Sequence, residues 1–211
     1  MDVIVDDIKG YPYQARTGAL TDVLSEIVER LDEAGRGLQS VEVDGQPVSP
    51  EHVMELLGGR TVEETATLHV RSEAIATLAE QSLRDMEEVL PELAIACHAL
   101  AEITQNEPPE VWKESFEDLA GIWRVVKTRQ RQIASALNVD IDTLSLDGGV
   151  SLEQHHQDVE QYLTAAGKAV ESADKAALGD VLTYELAPRA ETECAINTLL
   201  LSRVSESSER R

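Results

Sequence analysis

Aromatic residues are scarce in this chain. Among its 211 residues there are two tryptophans, four tyrosines and one phenylalanine, 3% of the total. Hydrophobic residues nevertheless reach 42%, so the chain has enough apolar side chains to form a core. That core must be aliphatic, built from Leu, Val, Ile and Ala.

Positive charge is scarce as well. Lys and Arg number 18 against 40 Asp and Glu, which gives a formal net charge of -22 at pH 7. Nucleic acids and anionic membranes are bound through clustered positive charge. The composition therefore excludes both as expected partners and favours a protein partner with a basic surface.

Cysteine and long apolar runs are also limited. Cys97 and Cys194 lie in helical patterns, which predicts small core residues rather than a disulfide. No window approaches the ~20 apolar residues of a membrane span. The acidic start MDVIVDD does not resemble a signal peptide, so a cytoplasmic location is expected.

Familiar catalytic motifs are missing. The sequence contains no Gly-x-Ser-x-Gly, no phosphate-binding loop and no dinucleotide fingerprint. It therefore predicts neither catalytic residues nor a cofactor.

Residues 1–71 combine short strand patterns with helical ones. The expected order is a strand (VIVDD), its hairpin partner (YPYQAR), a helix (LTDVLSEIVERLDEAG), a strand entering an Asp-Gly turn (LQSVEVDGQPV), a short helix (SPEHVMELLGG) and a last strand (TATLHV). The first helix places on one face Leu20, Val23, Leu24, Ile27, Val28 and Leu31. This order resembles the β-grasp, or ubiquitin-like, fold, which implies one helix lying across a small mixed sheet.

Residues 72–205 follow a helical period and predict an antiparallel four-helix bundle, with a flexible tail at 206–211. The overall fold class is thus α+β. The inward stripe expected for the first long helix is Ile75, Leu78, Ser82, Met86, Val89, Leu93, Ala96, Leu100 and Ile103. The stripe expected for the second is Val111, Leu119, Ile122, Val126, Ile133 and Leu137.

The second long helix carries two unusual sets of residues. Its aromatic edge consists of Trp112, Phe116 and Trp123, the only Trp and Phe residues of the chain. Its basic ridge consists of Lys113, Arg124, Lys127 and Arg131. The aromatic edge either fills a seam against a neighbouring element or serves as a docking surface, because Trp and Arg are preferred interface anchors.

The last helix contains the sequence LTYELAPRAETEC. Pro188 removes one backbone hydrogen bond and predicts a kink. Helical spacing places Glu185 and Arg189 on the inward face beside Tyr184, as an ion pair. These buried polar candidates either fix the packing register or receive a ligand.

A metal site is the alternative chemistry. Bundle metal centres use Glu-x-x-His pairs, and this chain has one, Glu153 to His156, with His155 beside it. The other Glu-x-x-His pair that such centres use is missing from the sequence.

Three short motifs resemble an uncharacterised group of bacterial proteins: VDGQPVS, LDGGVSL and the closing LTYELAP. The resemblance implies a small N-terminal α+β domain followed by a helical domain. It brings no catalytic residues.

The sequence thus favours a non-enzymatic cytosolic interaction protein, an adaptor or a binder like an export chaperone. A second copy of the chain is a further candidate partner. The alternatives are a metal-dependent helical-bundle enzyme centred on His155 and His156, and an acidic mimic of nucleic acid.

Overall fold

The computed structural model describes residues 1–9, 18–49, 52–141, 143–146 and 149–209. The chain forms two compact units, Met1–Leu78 and Ala79–Arg211. The boundary expected after residue 71 therefore lies later, inside the first long helix. No helix within the described ranges has both the length and the apolar character needed to cross a membrane.

The first unit contains a five-stranded mixed sheet with the strand order β2-β1-β5-β3-β4. Its strands are β1 (Asp2–Val5), β2 (Ile8–Lys9), β3 (Arg36–Val43), β4 (Gln46–Val48) and β5 (Thr67–Ala74). Strands β1 and β5 run parallel, whereas the other neighbours are antiparallel. The strand expected in YPYQAR lies outside the described residues.

Helix α1 (Leu20–Glu33) packs its apolar residues on alternating residues of the sheet. The core contains Leu20, Val23, Leu24, Ile27 and Leu31 from the helix, and Val3, Val5, Val41, Val43, Leu68 and Val70 from the sheet. Val28, expected on the same face, is exposed because it lies at the edge of that face. Helix α2 (Val53–Leu56) forms a single turn whose Val53 joins this core.

Two tight turns in this unit use left-handed backbone. Asp6 and Asp7 have φ values of 48° and 65°, and Asp44 and Gly45 have values of 52° and 75°. Consecutive positive φ values define the turn type that matches strand twist in hairpins. The predicted Asp-Gly turn is therefore confirmed. The Asp44 carboxylate accepts hydrogen bonds from the backbone N–H groups of Ala66 and Thr67, both at 2.8 Å.

The second unit is mostly helical. It comprises α3 (Ile75–Asn106, which begins in the first unit), α4 (Pro109–Ala136), α5 (Leu152–Glu171), α6 (Lys175–Asp180), a π-helical segment (Val181–Leu186) and α7 (Ala187–Glu209). Because α7 continues through Glu209, the tail expected from residue 206 is wrong for the described part.

The buried faces of α3 and α4 differ from the expected ones. Helix α3 buries Ala79, Leu83, Met86, Leu90, Leu93, Cys97, Leu100, Ala101 and Thr104. Helix α4 buries Trp112, Phe116, Leu119, Ala120, Trp123, Val126, Lys127, Gln130, Ile133 and Ala134. Val89, Val111 and Ile122, all expected inside, are exposed.

The two cysteines differ in their burial. Cys97 is buried and its burial raises the pKa of the thiol to about 11. Cys194 is exposed, so the expectation of a core residue is wrong there, because α7 turns that position to the surface. Both thiols are free.

The proline in the last helix is accommodated by a π-helical segment. Pro188 cannot donate to the carbonyl one turn before it, and the six preceding residues, Val181–Leu186, widen into π geometry. Such segments let a helix absorb a local mismatch in its hydrogen bonding and frequently occur at functional sites. Arg189 Nη1 donates to the backbone carbonyl of Glu185 at 2.9 Å. The arginine thus supplies a donor to a carbonyl in the turn before the proline.

The Asp44 turn provides a test of the sheet. Asp44→Ala removes the acceptor for two backbone amides at the solvent-exposed start of β5 and leaves alanine at positive φ, so we expect a loss of about 2 kcal/mol in the unfolding free energy of the first unit. Asp7→Ala is the matched control, because Asp7 has the same backbone region (φ 65°) but an exposed carboxylate. Amide hydrogen exchange at Ala66 and Thr67, at pH 8, measures the difference. Equal exchange in the two variants would contradict the proposed role of the carboxylate.

Candidate functional site

A buried polar cluster joins helices α4, α5 and α7. Its centre is the carboxylate of Glu193, which is fully buried. Glu193 Oε1 accepts from Lys127 Nζ and lies 2.7 Å from His155 Nε2. Gln130 Nε2 donates to Glu193 Oε2 at 2.7 Å. His156 Nε2 lies 3.0 Å from Gln130 Oε1. We call these five residues the Glu193 cluster.

The hydrogen bonds determine where the protons are. The Gln130 amide nitrogen donates to Glu193, so its Oε1 atom must be an acceptor. His156 Nε2 therefore carries the proton of the bond to Gln130. In a neutral imidazole the other nitrogen is then an acceptor. His156 Nδ1 is buried and has no hydrogen-bond partner in the part of the chain that the structure describes.

Electrostatics support these assignments. Burial raises the pKa of Glu193, but the hydrogen bond from His155 and the charge of Lys127 outweigh burial, and the net pKa lies below its usual value. Glu193 is thus a carboxylate with three donors. Burial, assisted by the charge of Lys127, lowers the pKa of His156 to about 3. His156 is therefore neutral at pH 7.

The four residues of the predicted basic ridge do not all lie on one exposed surface. Lys127 points inward and is buried against Glu193, because it continues the apolar stripe of Trp123. Lys113, Arg124 and Arg131 remain exposed.

The aromatic edge is part of the core. Trp112 and Trp123 are fully buried and Phe116 nearly so. Of the two alternatives, burial therefore supports a seam inside the helical unit and excludes an exposed docking edge. The aromatic rings have the largest apolar surface on α4, and the helix turns that surface inward.

The polar residues around Pro188 lie at the surface of the helical unit. Tyr184 is 69% exposed, so its expected burial is wrong. Arg189 Nη1 bonds Glu185 Oε2 at 3.1 Å, as the spacing predicts, but both side chains are only half-buried. Arg189 also lies 4.2 Å from the centre of the Tyr162 ring and 3.4 Å from Asp158 Oδ2. Because Arg189 bonds Glu185 and contacts Tyr162 and Asp158 of α5, it links the π-helical segment to α5.

The residues of the metal alternative do not converge. His155 contacts Glu193, and His156 contacts Gln130. Glu153 lies apart from both, with Oε2 4.0 Å from Arg131. In the described ranges no three His, Cys, Asp or Glu side chains are placed to hold a metal ion.

A cleft adjoins the cluster between α4 and α5. It has a volume of about 450 Å³. Trp123, Lys127 and His156 line its inner part, and Arg124 and Arg131 also line it. The Glu193 cluster thus meets the surface at this α4–α5 cleft.

A second hollow, the α3–α4 groove, is apolar with acidic neighbours. It has a volume of about 480 Å³. Val89, Ile122 and Val125 in it are 46%, 40% and 52% exposed. Gly121 leaves open space, since a β-carbon there would meet nothing within 4 Å. The charged lining residues are three acids, Asp85, Glu117 and Asp118, and one base, Arg129.

Comparison with protein-family models, with curated proteins and with solved structures gave no match. The resemblance to an uncharacterised bacterial group stays a prediction. The function has to be inferred from the cluster, the cleft and the groove.

Sequence reasoning missed Glu193 and Gln130. A signal existed at the end of the π-helical segment and in α7, where the buried positions include Leu186, Ala190, Glu193, Asn197 and Leu200. Two polar residues inside an apolar stripe mark a buried network. The other one, Asn197, donates to the backbone carbonyl of Leu83 at 2.9 Å.

The charge pair at the centre of the cluster can be tested by a double-mutant cycle. Lys127→Met leaves a buried carboxylate without its cation and should cost about 3 kcal/mol of unfolding free energy. Glu193→Gln should cost a similar amount. The double variant should cost about 2 kcal/mol less than the sum. Urea unfolding followed by tryptophan fluorescence reports on this unit, because both tryptophans lie in α4. Lys113→Met, on the exposed side of α4, is the control, and additive losses would refute the coupling.

The histidine should make the helical unit sensitive to acid. With a folded pKa of about 3 and an ordinary unfolded pKa near 6.5, the unfolded state binds more protons between these values. Stability due to His156 is therefore complete above pH 6.5 and falls as the pH decreases, by about 1.4 kcal/mol per pH unit at most.

His156→Gln should flatten the stability profile between pH 6.5 and 5, measured by urea unfolding. His98→Gln, at an exposed position of α3, should leave the profile unchanged. Parallel profiles for wild type and His156→Gln would show that the imidazole is not held neutral.

Proposed function

We propose that the chain is a non-enzymatic, cytosolic protein-interaction protein. Its docking surface is the α3–α4 groove, in place of the aromatic edge. One observation carries the proposal: three exposed branched aliphatic side chains, Val89, Ile122 and Val125, lie together beside three acids. Exposed apolar patches rimmed by polar residues are typical of interaction sites.

The occupant is a segment of a basic partner protein that presents an apolar side chain flanked by Lys or Arg. Charge complementarity supports this choice, because the groove has three acids, Asp85, Glu117 and Asp118, against one base, Arg129, and the chain carries a net charge of -22. The long-range field of such a chain attracts basic partners. The groove volume of about 480 Å³ suits a few side chains rather than a whole domain.

The fold assignments that accompany this function are also proposals. A β-grasp-like first unit is supported by the order β2-β1-β5-β3-β4, with parallel β1 and β5 and α1 on one face. A four-helix bundle is supported by the contacts that α7 makes with α4, α5 and α3 through Glu193 and Asn197. Neither architecture by itself implies an activity.

Gly121 offers a way to block the groove without damaging the fold. Gly121→Leu fills the open space and, because leucine favours helices over glycine, should keep or raise stability. Gly121→Ala is the matched control, since it gives a similar helix gain but adds only a methyl group. We expect at least a tenfold loss of partner affinity for Gly121→Leu and less than twofold for Gly121→Ala.

The measurement has two stages. Proteins captured from an extract of the source cells by wild-type protein are identified and purified, and each is titrated against the three forms by calorimetry. Equal affinity for wild type and Gly121→Leu would refute the groove. Loss of self-association in Gly121→Leu, seen by sedimentation, would identify a second copy as the occupant instead. Binding that vanishes with added salt but ignores Gly121→Leu would favour the acidic mimic of nucleic acid.

A further inference from the structure

The α4–α5 cleft has the features of a small-molecule site, independently of the α3–α4 groove. Its volume of about 450 Å³ lies in the range of small-ligand pockets. Its two ends differ in chemistry. Phe116 and Leu163 line one end, whereas His156 and Thr128 line the other. A ligand in the cleft would therefore need both an apolar part and a polar part.

His156, which lines the polar end, has a buried acceptor that no described residue uses. His156 is 1% exposed, and its Nε2–H is already committed to Gln130 Oε1. His156 Nδ1 accepts no hydrogen bond from any residue in the described part of the chain. A buried polar atom without a partner costs about 1–3 kcal/mol, so a donor brought by a ligand would recover part of this cost.

The charged residues of the cleft favour an anion. Lys127 is neutralised by Glu193, so the remaining charges are those of Arg124 and Arg131 against Glu160. Arg131 also lies 4.0 Å from Glu153 Oε2, so Arg124 is the cation that a ligand would meet unpaired. Arg124 makes no hydrogen bond or ion pair with any described residue. Acids outnumber bases by 40 to 18, so an arginine without an acidic partner is not explained by a shortage of acids.

We propose that the α4–α5 cleft binds a small organic anion whose apolar or aromatic body carries a hydroxyl or N–H donor. The donor bonds His156 Nδ1, the anionic group meets Arg124 and Arg131, and the body lies against Trp123 and Phe116. Because His156 is neutral at pH 7, its acceptor is present under physiological conditions.

Three matched probes separate the parts of this recognition. 4-Hydroxybenzoate has the anion, the ring and the donor. 4-Fluorobenzoate replaces the donor with an atom of similar size, and 4-hydroxybenzamide replaces the anion with a neutral group. Each probe is titrated into ¹⁵N-labelled full-length protein. The two indole N–H signals are the readout, because Trp123 lines the cleft and Trp112 does not.

We expect 4-hydroxybenzoate to shift the Trp123 signal and leave the Trp112 signal in place. Its affinity should exceed that of 4-fluorobenzoate by about fivefold, the effect of one hydrogen bond. It should exceed that of 4-hydroxybenzamide by a similar factor that shrinks as salt is added.

Three variants assign these effects to residues. His156→Phe keeps a ring of similar shape and should abolish the preference for 4-hydroxybenzoate over 4-fluorobenzoate. Arg124→Gln changes an exposed residue, so folding is retained, and should abolish the preference for the anion. Lys113→Gln, exposed on the same helix outside the cleft, should change nothing.

The outcomes are decisive in both directions. A Trp123 signal that none of the probes moves at 10 mM refutes the site. Shifts in both indole signals, or shifts that survive Arg124→Gln with the anion preference intact, show binding elsewhere and refute it too. If His156→Phe fails to fold, the comparison of 4-hydroxybenzoate with 4-fluorobenzoate in Arg124→Gln still tests the donor, since equal affinities there exclude it. Failure of this site leaves the α3–α4 groove untouched, because Gly121 does not line the cleft.

Discussion

The helical unit depends on the burial of one negative charge. Glu193 is fully buried, and a carboxylate in such a place requires donors for both oxygens and a compensating cation. Lys127, His155 and Gln130 meet this requirement from two other helices. The register of α4, α5 and α7 is thereby linked at one level of the unit. A shift of any of these three helices by one turn would leave the carboxylate of Glu193 unpaired. The buried charge therefore fixes a helix register that the packing of aliphatic side chains alone would not fix.

The same constraint explains why the cluster meets the surface. Once Gln130 gives its N–H to Glu193, its carbonyl oxygen accepts, and His156 must donate through Nε2. The remaining nitrogen is then an acceptor that receives no hydrogen bond from any residue in the described ranges. The proton pattern propagates from the buried carboxylate to the wall of the α4–α5 cleft. The hydrogen bonds that pair the helices thus also fix which nitrogen of His156, a residue lining the cleft, is the acceptor.

The sequence patterns predict which segments form helices and turns better than they predict which face of each helix is buried. The helices, the Asp-Gly turn and the α+β class follow from periodicity and turn chemistry, which are local properties. The inward face of α3 was ambiguous, because Met86 and Leu93 belong to two overlapping apolar stripes, one with Val89 and one with Leu90. On α4 the aliphatic spacing predicts a buried face that includes Ile122. The structure instead buries the face that carries Trp123, because its apolar surface is larger. The Glu193 cluster was not predictable in full, since its pairings between helices join residues 26 to 66 positions apart.

The net negative charge of the protein has opposite effects on the ligands proposed for the two surfaces of α4. A basic partner approaching the α3–α4 groove is attracted by the net charge of -22 from a distance, and salt weakens that attraction. A small anion approaching the α4–α5 cleft is first repelled by that field and is attracted only near Arg124 and Arg131. Salt with a screening length of about 8 Å also weakens the attraction of an anion to these exposed arginines. Ionic strength would therefore weaken both the anion preference of the cleft and protein binding at the groove, but the two ligands would still be recognised by different charges, the arginines at the cleft and the acids at the groove.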